Sequence, residues 1–275
     1  MRSDMHQNKE KIQIETVTTD RFSMDYFKFG HGEKPFVIIP GVSVQSVMGS
    51  AELIAESYKL FADEFTVYVF DRRKNLPKTY TITEMAVDTA EAFQVLGLKQ
   101  INLFGTSQGG MIAMVIAISH PELVEKLVLG SASAQVKDEE YQTIKKWIDL
   151  AKNEDAEGLY LAFGQDIYPP NVYEQSRQIL IDTAKTVTTE EMNHFVIIAS
   201  GLVHFNIIRD LEKIKCPVLV IGDRDDHVLG GQASVIIADH LKKRPDNELY
   251  MYEGYGHAAY DTAPDYKERI YQFLV

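Results

Sequence analysis

Hydrophobic positions in this chain recur in short, β-branched runs that are bounded by turn residues. The runs at 37–39, 67–70 and 218–221 are apolar at every position, which is typical of strands buried on both faces of a parallel sheet. The predicted strands are 11–18, 24–29, 36–39, 66–70, 101–104, 123–129, 217–221 and 248–252. We expect the first two to form a hairpin at a sheet edge.

Helical patterns lie between most of these strands. The predicted helices are 50–63, 83–96, 109–119, 232–242 and 264–273. The third is apolar almost all round and is therefore expected to be buried. Strands that alternate with helices predict an α/β fold with a mostly parallel eight-stranded sheet and helices on both faces.

The alternation of strands and helices stops between residues 136 and 209. Only helical patterns occur there, at 139–153, 156–163, 171–183 and 189–205. We interpret residues 136–209 as a helical cap inserted after the sixth strand, and residues 1–135 and 210–275 as the catalytic core.

Composition and charge limit the classes of partner. The chain has 275 residues, of which 45% are hydrophobic, enough for a sizeable core. Its 28 Lys and Arg against 40 Asp and Glu give a net charge of −12, which repels nucleic acids and anionic membranes. We therefore expect neither as a partner, and we predict a monomer or a homodimer.

Several features predict a cytoplasmic location. The single cysteine, Cys216, cannot form an internal disulfide, as is usual in a reducing compartment. The polar segment 1–10 carries no apolar run of the kind a signal peptide needs. The longest mostly apolar stretch, 109–119, is far shorter than the roughly 20 residues that span a bilayer.

The sequence Gly-Thr-Ser-Gln-Gly at 105–109 places Ser107 between a predicted strand and a predicted helix. A strand–turn–helix of this kind exposes a serine Oγ at the end of a sheet, and the flanking glycines permit the sharp turn. The alternative of a helix N-cap serine stays open. A phosphate-binding loop is excluded, because Met111 and Ile112 stand where Lys and Ser/Thr are needed.

A serine nucleophile needs a base, and the base needs an acid that orients it. His257 follows the last predicted strand, and Asp223, Asp225 and Asp226 follow the one before it. The carboxyl ends of parallel strands meet at one edge of the sheet, where sites of open α/β folds lie. His227, which also follows a strand, is interpreted as a loop residue.

Three motifs resemble those of the α/β-hydrolase family, in its branch of small capped esterases and lactonases: Gly-Thr-Ser-Gln-Gly at 105–109, Gly-Asp-Arg-Asp at 222–225 and Gly-Tyr-Gly-His at 254–257. The resemblance covers residues 17–275 and implies the α/β-hydrolase fold. It also implies Ser107 as nucleophile, His257 as base and Asp225 as acid. Asp226 and Asp223 stay open as alternatives for the acid.

The resemblance further implies an oxyanion hole formed by the backbone N–H groups of Val42 and Gln108. The chain departs from the family at Pro40, where a histidine is usual, and at 71–77, where Asp-Arg-Arg-Lys-Asn-Leu-Pro replaces a glycine-rich turn. We interpret the basic residues of that turn, Arg72, Arg73 and Lys74, as solvent-exposed.

The expected reaction is acyl transfer to water, with no cofactor and no metal. A calcium loop at 223–226 is disfavoured, because Ser234 stands where such a loop would place its glutamate. The expected substrates are small, mostly apolar or aromatic carboxylic esters or lactones, and Trp147, Phe163 and His204 are candidate pocket residues. Aromatic residues at helical spacing more often pack the cap itself, and this alternative stays open. The alternatives are a carbon–carbon bond hydrolase, a perhydrolase or a small-molecule receptor on the same fold.

Overall fold

The computed structural model describes residues 11–242 and 244–275, so the polar segment 1–10 lies outside the described residues. The strands are β1 (Ile14–Thr18), β2 (Ser23–Phe29), β3 (Lys34–Ile39), β4 (Phe65–Arg73), β5 (Ile101–Thr106), β6 (Val124–Gly130), β7 (Val218–Asp223) and β8 (Glu248–Tyr252). The helices are α1 (Ala51–Ser57), α2 (Ile82–Val95), α3 (Gln108–Ser119), α4 (Asp138–Lys152), α5 (Ala156–Ile167), α6 (Pro170–Ala184), α7 (Thr189–Ser200), α8 (Ala233–Leu241), α9 (Ala259–Thr262) and α10 (Tyr266–Leu274).

The strands form one sheet in the order β1-β2-β4-β3-β5-β6-β7-β8. β1 pairs with β2, and β2 with β4, in antiparallel orientation, while every pairing from β4 onward is parallel. The predicted edge hairpin and the mostly parallel eight-stranded sheet are confirmed. Because β3, β5, β6, β7 and β8 are parallel, their carboxyl ends meet at one edge of the sheet.

Side-chain alternation along the strands divides the interior into two cores. Val37 and Ile39 of β3 pack on one face of the sheet with residues of α2, α3, α8 and the helices after β6. Phe36 and Ile38 pack on the other face with residues of α1, α9 and α10. Helices therefore cover both faces, as predicted. Helix α3 is buried through most of its length, as its apolar sequence predicts.

Within the described residues, helices α4 to α7 fill the segment between β6 and β7. The two ends of this segment lie side by side, because the Val136 N–H donates to the Phe205 carbonyl at 2.9 Å and the Ile207 N–H to the Ala134 carbonyl at 2.8 Å. Such closed ends are typical of an insertion. The division into a core and a cap at residues 136 and 209 stays a prediction.

Three predicted helices differ from the structure. The pattern at 156–163 forms α5, which continues to Ile167. The pattern at 50–63 forms α1 between two short 3₁₀ turns, Val47–Ser50 and Lys59–Phe61. The pattern at 189–205 ends as a helix at Ser200, because the chain turns there and His204 adopts a positive φ of 57°. None of the helices in the described parts of the chain is long and apolar enough to cross a membrane.

Candidate active site

Ser107 occupies a sharp turn between β5 and α3. Its φ of 53° and ψ of −121° fall in a region that a non-glycine residue seldom adopts. The Ser107 N–H donates to the Gly130 carbonyl of β6 at 2.8 Å, which fixes the turn to the neighbouring strand. The side chain therefore stands at the carboxyl edge of the sheet, directly before the first turn of α3. Strain of this kind persists only where the surrounding structure imposes it.

Two glycines allow the chain to pack tightly around this turn. A Cβ on Gly105 would lie 2.3 Å from the Gly109 carbonyl oxygen, and a Cβ on Gly109 would lie 2.0 Å from the Ile39 carbonyl oxygen. Both distances are far below van der Waals contact, so neither position has room for a side chain. The Gly-x-Ser-x-Gly pattern thus reflects close backbone approach at both glycines.

His257 connects the serine to a carboxylate. Its Nε2 lies 3.0 Å from Ser107 Oγ, and its Nδ1 lies 2.8 Å from Asp226 Oδ2. All three residues are buried, with 8%, 3% and 5% of the surface of Ser107, His257 and Asp226 exposed. The histidine follows β8 through a turn in which Gly254 and Gly256 both have positive φ. Ser107, His257 and Asp226 thus form a continuous hydrogen-bonded line, Oγ–Nε2–Nδ1–Oδ2.

The prediction that Asp225 is the acid beside His257 is wrong. The exposed Asp225 accepts a hydrogen bond from the Gly254 N–H at 2.7 Å, whereas Asp226 points inward to the imidazole. The reason is the turn after β7: Asp223 Oδ1 accepts the Asp225 N–H at 2.7 Å, so the chain bends and the next side chain, not this one, faces the site. His227 is exposed, in accord with its interpretation as a loop residue.

The surroundings of Asp226 favour its ionised form. Burial raises its pKa, but the charge of His257, the hydrogen bond to His257 and the N–H groups of Leu229 and Val228 lower it, and the net pKa lies below the ordinary value. The two amides donate to Asp226 Oδ1 at 3.0 and 2.8 Å. Since Oδ1 is held by backbone and Oδ2 by His257, the carboxylate is fixed in one orientation and is suited to stabilise an imidazolium.

The loop that follows β3 passes beside the nucleophile. A Cβ on Gly41 would lie 3.2 Å from Ser107 Cβ and 3.7 Å from its Oγ, and Val42 is the next residue. Gln108 begins α3, so its N–H belongs to the helix start, where amides have no intrahelical acceptor. These positions agree with Val42 and Gln108 as the expected oxyanion donors, and that role stays a prediction.

The interpretation of 72–74 as an exposed basic turn is wrong for the two arginines. β4 continues to Arg73, and Arg72 is only 8% exposed. The Arg72 Nη2 donates to the Pro40 carbonyl at 2.8 Å and to Gln108 Oε1 at 3.1 Å. Arg73 has a different partner and pairs with the buried Asp88 of α2 at 3.1 Å. Lys74 is partly exposed and pairs with Asp25 at 2.8 Å.

A cavity of about 640 Å³ is lined by the loop after β3 and by residues of α5, α6 and α7. Two of its lining residues are neighbours of the site: Val42 follows Gly41, which lies against Ser107, and the Ile167 carbonyl accepts the N–H of Ala258, next to His257, at 2.9 Å. Its apolar lining includes Val42, Val47, Tyr160, Phe163, Ile167 and Tyr168. Gln45 forms a polar link across it: Oε1 accepts the Tyr160 hydroxyl at 3.1 Å and Nε2 donates to Glu191 at 3.2 Å.

The three residues predicted to contact substrate lie in different environments in the structure. Phe163 lines the cavity. Trp147 does not: it is 1% exposed, packs on Phe163 with ring centroids 4.7 Å apart, and donates its indole N–H to Asp166 at 2.7 Å. His204 is exposed on the turn after α7 and lines none of the described cavities. Trp147 therefore packs the helical segment, and His204 faces solvent.

In residues 11–242 and 244–275, no group of three or more His, Cys, Asp or Glu side chains is arranged to hold a metal ion. The carboxylates of 223–226 are occupied instead by protein donors. Asp223 accepts the N–H groups of Asp225 and Tyr255 at 2.7 and 2.9 Å. Cys216 is buried, and burial raises the pKa of its thiol to about 11, so it is suited to packing and not to nucleophilic attack.

Three residues of this region were not assigned their observed positions from the sequence. Asp226 was only an alternative for the acid, Arg72 was interpreted as solvent-exposed, and Gln45 was not a candidate. For Arg72 strand alternation gives no reliable signal, because β4 carries one extra residue relative to β2 between Phe70 and Arg73. For Gln45 no local signal exists, since its partners lie on helices more than a hundred residues away.

Comparison with known proteins identifies the fold family of the chain. A family model described as alpha/beta hydrolase fold matches residues 34–264. Among curated proteins, the chain is 26% identical over 236 residues to the Putative carbamate hydrolase RutD of Agrobacterium fabrum, a match that covers 82% of this chain and 89% of that protein.

Solved structures share the whole architecture. An alpha/beta hydrolase enzyme from a Medee basin deep-sea metagenome library, MGS-M2, superposes with a TM-score of 0.83 at 20% identity, over 94% of this chain and 97% of that one. The enol-lactonase from Burkholderia xenovorans LB400 superposes with a TM-score of 0.80 at 16% identity, over 94% and 99%. Since the family model spans most of its length, the chain belongs to the α/β-hydrolase fold family.

Proposed function

We propose that this protein is a serine hydrolase that cleaves small, mostly apolar or aromatic carboxylic esters or lactones through an acyl-enzyme on Ser107. The observation that carries the proposal is the line from Ser107 Oγ through His257 to Asp226, with distances of 3.0 and 2.8 Å. A serine hydroxyl is a weak nucleophile, and an adjacent base that is itself oriented by a carboxylate is the arrangement that activates it.

The reaction proceeds in two halves. Ser107 Oγ attacks the carbonyl carbon while His257 Nε2 takes its proton, and Asp226 holds the Nδ1–H and stabilises the imidazolium. The resulting oxyanion accepts hydrogen bonds from the N–H groups of Val42 and Gln108. The carbon–oxygen bond to the alcohol then breaks, and His257 donates its proton to the leaving oxygen.

Water completes the cycle. His257, now neutral, takes a proton from a water molecule that attacks the acyl-enzyme, and the second tetrahedral species releases the acid and returns the proton to Ser107. In a lactone the leaving alcohol is part of the acyl chain, so one product, a hydroxy acid, leaves at the end.

The cavity supports an apolar substrate. Its volume of about 640 Å³ is of the size that holds a small organic molecule. The aromatic and aliphatic side chains of Phe163, Ile167 and Tyr168 form part of its wall. The carbamate hydrolase named among the relatives points to a more polar acyl group; the apolar lining favours esters and lactones over it.

The decisive experiment compares Ser107→Ala with Ser133→Ala on p-nitrophenyl esters of increasing acyl length, lactones and a p-nitrophenyl carbamate. Ser133 is also buried but bonds locally to the Gln135 carbonyl. We expect turnover and fluorophosphonate labelling in the wild type and in Ser133→Ala. In Ser107→Ala we expect no labelling and a loss of turnover of at least about 10³-fold.

Each alternative has its own outcome. A folded wild type that binds esters but neither turns them over nor reacts with the probe would be a receptor. Turnover of the carbamate well above that of the esters would change the proposed substrate class from esters and lactones to carbamates. Turnover that survives in Ser107→Ala would remove Ser107 from the mechanism.

The cavity assignment is tested with Phe163→Ala and its packing partner Trp147→Phe. Removal of the Phe163 ring from the cavity wall is expected to raise KM for aromatic esters roughly tenfold or more, the equivalent of one buried aromatic contact. Trp147→Phe keeps a ring in place and is expected to leave KM within about twofold, although it loses the indole hydrogen bond to Asp166. Equal effects of the two variants on KM would contradict the assignment.

A further inference from the structure

A buried arginine lies directly behind both expected oxyanion donors. The Arg72 Nη2 donates at once to the Pro40 carbonyl, at 2.8 Å, and to Gln108 Oε1, at 3.1 Å. Pro40 opens the short loop that carries Val42, and Gln108 itself supplies the second expected donor. One nitrogen of Arg72 therefore joins the two segments whose relative position determines the geometry of the oxyanion hole.

The connection extends to the helical segment over the site. Gln108 is fully buried, and its Nε2 donates to the Ile198 carbonyl in the last turn of α7 at 2.8 Å. The Gln108 side chain thus uses its oxygen on Arg72 and its nitrogen on α7. Strand β4, the loop after β3, helix α3 and helix α7 all meet in this one chain of hydrogen bonds.

The partners of Arg72 are unusual for a buried cation. Its side-chain hydrogen bonds go to a carbonyl and an amide, and within the described residues its Nε is buried without a partner. Burial of a guanidinium without a directly bonded carboxylate is unfavourable. Arg73, the next residue, pairs with the buried Asp88 and donates to the Asn75 and Arg21 carbonyls. Stability therefore accounts for Arg73 better than for Arg72.

We infer that Arg72 is a positioning residue that holds the backbone N–H groups of Val42 and Gln108 in the geometry an oxyanion requires, through its shared hydrogen bonds to Pro40 and Gln108. The inference rests on the proposed serine hydrolase function. Donors that are fixed before the reaction stabilise developing charge without reorganisation, which is the largest electrostatic contribution in many acyl-transfer sites.

If Arg72 positions the oxyanion donors, its replacement should weaken stabilisation of the transition state and leave substrate binding nearly unchanged. Arg72→Met should lower kcat by roughly 10- to 100-fold, less than the full loss of one oxyanion donor, with KM changed by less than about threefold. Affinity for a boronic acid or trifluoromethyl ketone, whose adducts with Ser107 carry the oxyanion, should fall by a similar factor. Arg72→Lys keeps the charge and one donor group and should restore part of kcat.

Arg73→Met is the matched control, since it removes a neighbouring arginine of the same strand. We expect it to lower thermal stability while it leaves kcat and inhibitor affinity within about twofold. Gln108→Met keeps the backbone N–H but removes both side-chain hydrogen bonds. Because it breaks the same chain, the double variant Arg72→Met/Gln108→Met should lose clearly less than the product of the single losses.

The measurements are kcat and KM on whichever substrate the Ser107-dependent assay identifies, with active sites counted by fluorophosphonate and melting temperatures recorded for every variant. Unchanged kcat per labelled site in Arg72→Met would overturn the inference, as would an equal loss in Arg73→Met or fully multiplicative losses in the double variant. If Arg72→Met does not fold, Arg72→Lys and Gln108→Met decide by the same criteria. Absence of any Ser107-dependent turnover would instead refute the proposed function.

Discussion

Two segments at the carboxyl edge of the sheet, the end of β4 and the turn after β7, each carry a pair of identical neighbouring residues. At the end of β4, Arg72 turns to the loop and α3, while Arg73 turns to Asp88. After β7, Asp225 turns to the Gly254 amide, while Asp226 turns to His257. In each pair the chemistry of the side chains is the same and only their direction differs.

The difference between the segments lies in what sets that direction. In β4 it is an irregularity of the strand: Met24 lies opposite Arg73 and Tyr26 opposite Phe70, so β4 carries one extra residue there and simple alternation between faces is interrupted. After β7 it is a hydrogen bond: Asp223 captures the Asp225 amide and fixes the bend of the turn. At the end of β4 an extra residue in the strand thus sets the directions of the two side chains, whereas in the turn after β7 one side-chain hydrogen bond sets them.

The largest expected effect separates the two aspartates. Asp226→Asn should lower kcat by about 10³- to 10⁴-fold, because an amide at this position no longer holds the Nδ1–H tautomer of His257. Asp225→Asn, which touches only the Gly254 amide, should lower kcat by less than about tenfold. Steady-state kinetics on the ester substrate measure both. A greater loss in Asp225→Asn would restore the assignment that sequence spacing favoured.

A smaller effect, on stability, is expected for the second arginine. Arg73→Met should reduce the free energy of unfolding by roughly 1–3 kcal/mol, since Asp88 is buried and loses one of its partners. Asp88 keeps the Tyr80 hydroxyl at 2.9 Å and Arg21 at 3.1 Å, which limits the loss. Urea denaturation measures the change.

The comparison for Arg73→Met is Lys74→Met, which removes a half-exposed ion pair with Asp25. Pairs of that kind contribute about 0–1 kcal/mol. If Lys74→Met destabilised the protein as much as Arg73→Met, the distinction between the inward and outward residues at the end of β4 would be lost.

The smallest effect is a pH dependence of stability that belongs to Asp226. Its pKa in the folded protein lies below the ordinary value of 3.8, so the ionised carboxylate stabilises the fold at neutral pH, and that contribution disappears as pH falls from 3.8 through the folded pKa. The difference in unfolding free energy between wild type and Asp226→Asn should therefore shrink as pH is lowered through this window. If the difference in unfolding free energy instead increased as pH fell, the expected direction of the pH dependence would be wrong.

Much of the fold was predictable because it depends on local pattern. Continuous apolar runs locate β3, β7 and their neighbours, and the apolar sequence of α3 predicts its burial. The ends of helices were less predictable. The helical pattern at 189–205 ends at Ser200, where a Cβ on Gly201 would lie 2.3 Å from the Tyr80 carbonyl oxygen, a contact that sequence does not reveal.

The site residues also divide into those that a local sequence pattern predicts and those that it does not. Ser107 and His257 were predicted because each follows a strand within a glycine-rich turn of characteristic spacing, and the structure brings them to 3.0 Å. Trp147 was a candidate pocket residue with packing of the cap as the alternative, and it packs between helices. An aromatic side chain satisfies either role, and only its neighbours distinguish them.

By itself the sequence determined the order of strands and helices, the parallel sheet and two of the three residues in the Ser107–His257–Asp226 line. These follow from periodicity and from glycines at which the backbone must turn or approach closely. Tertiary structure alone decided which aspartate faces His257 and which arginine lies behind the oxyanion loop. The physical reason is that the direction of a side chain depends on hydrogen bonds between segments that are distant in sequence, and neighbouring residues of one type are chemically equivalent until those bonds form.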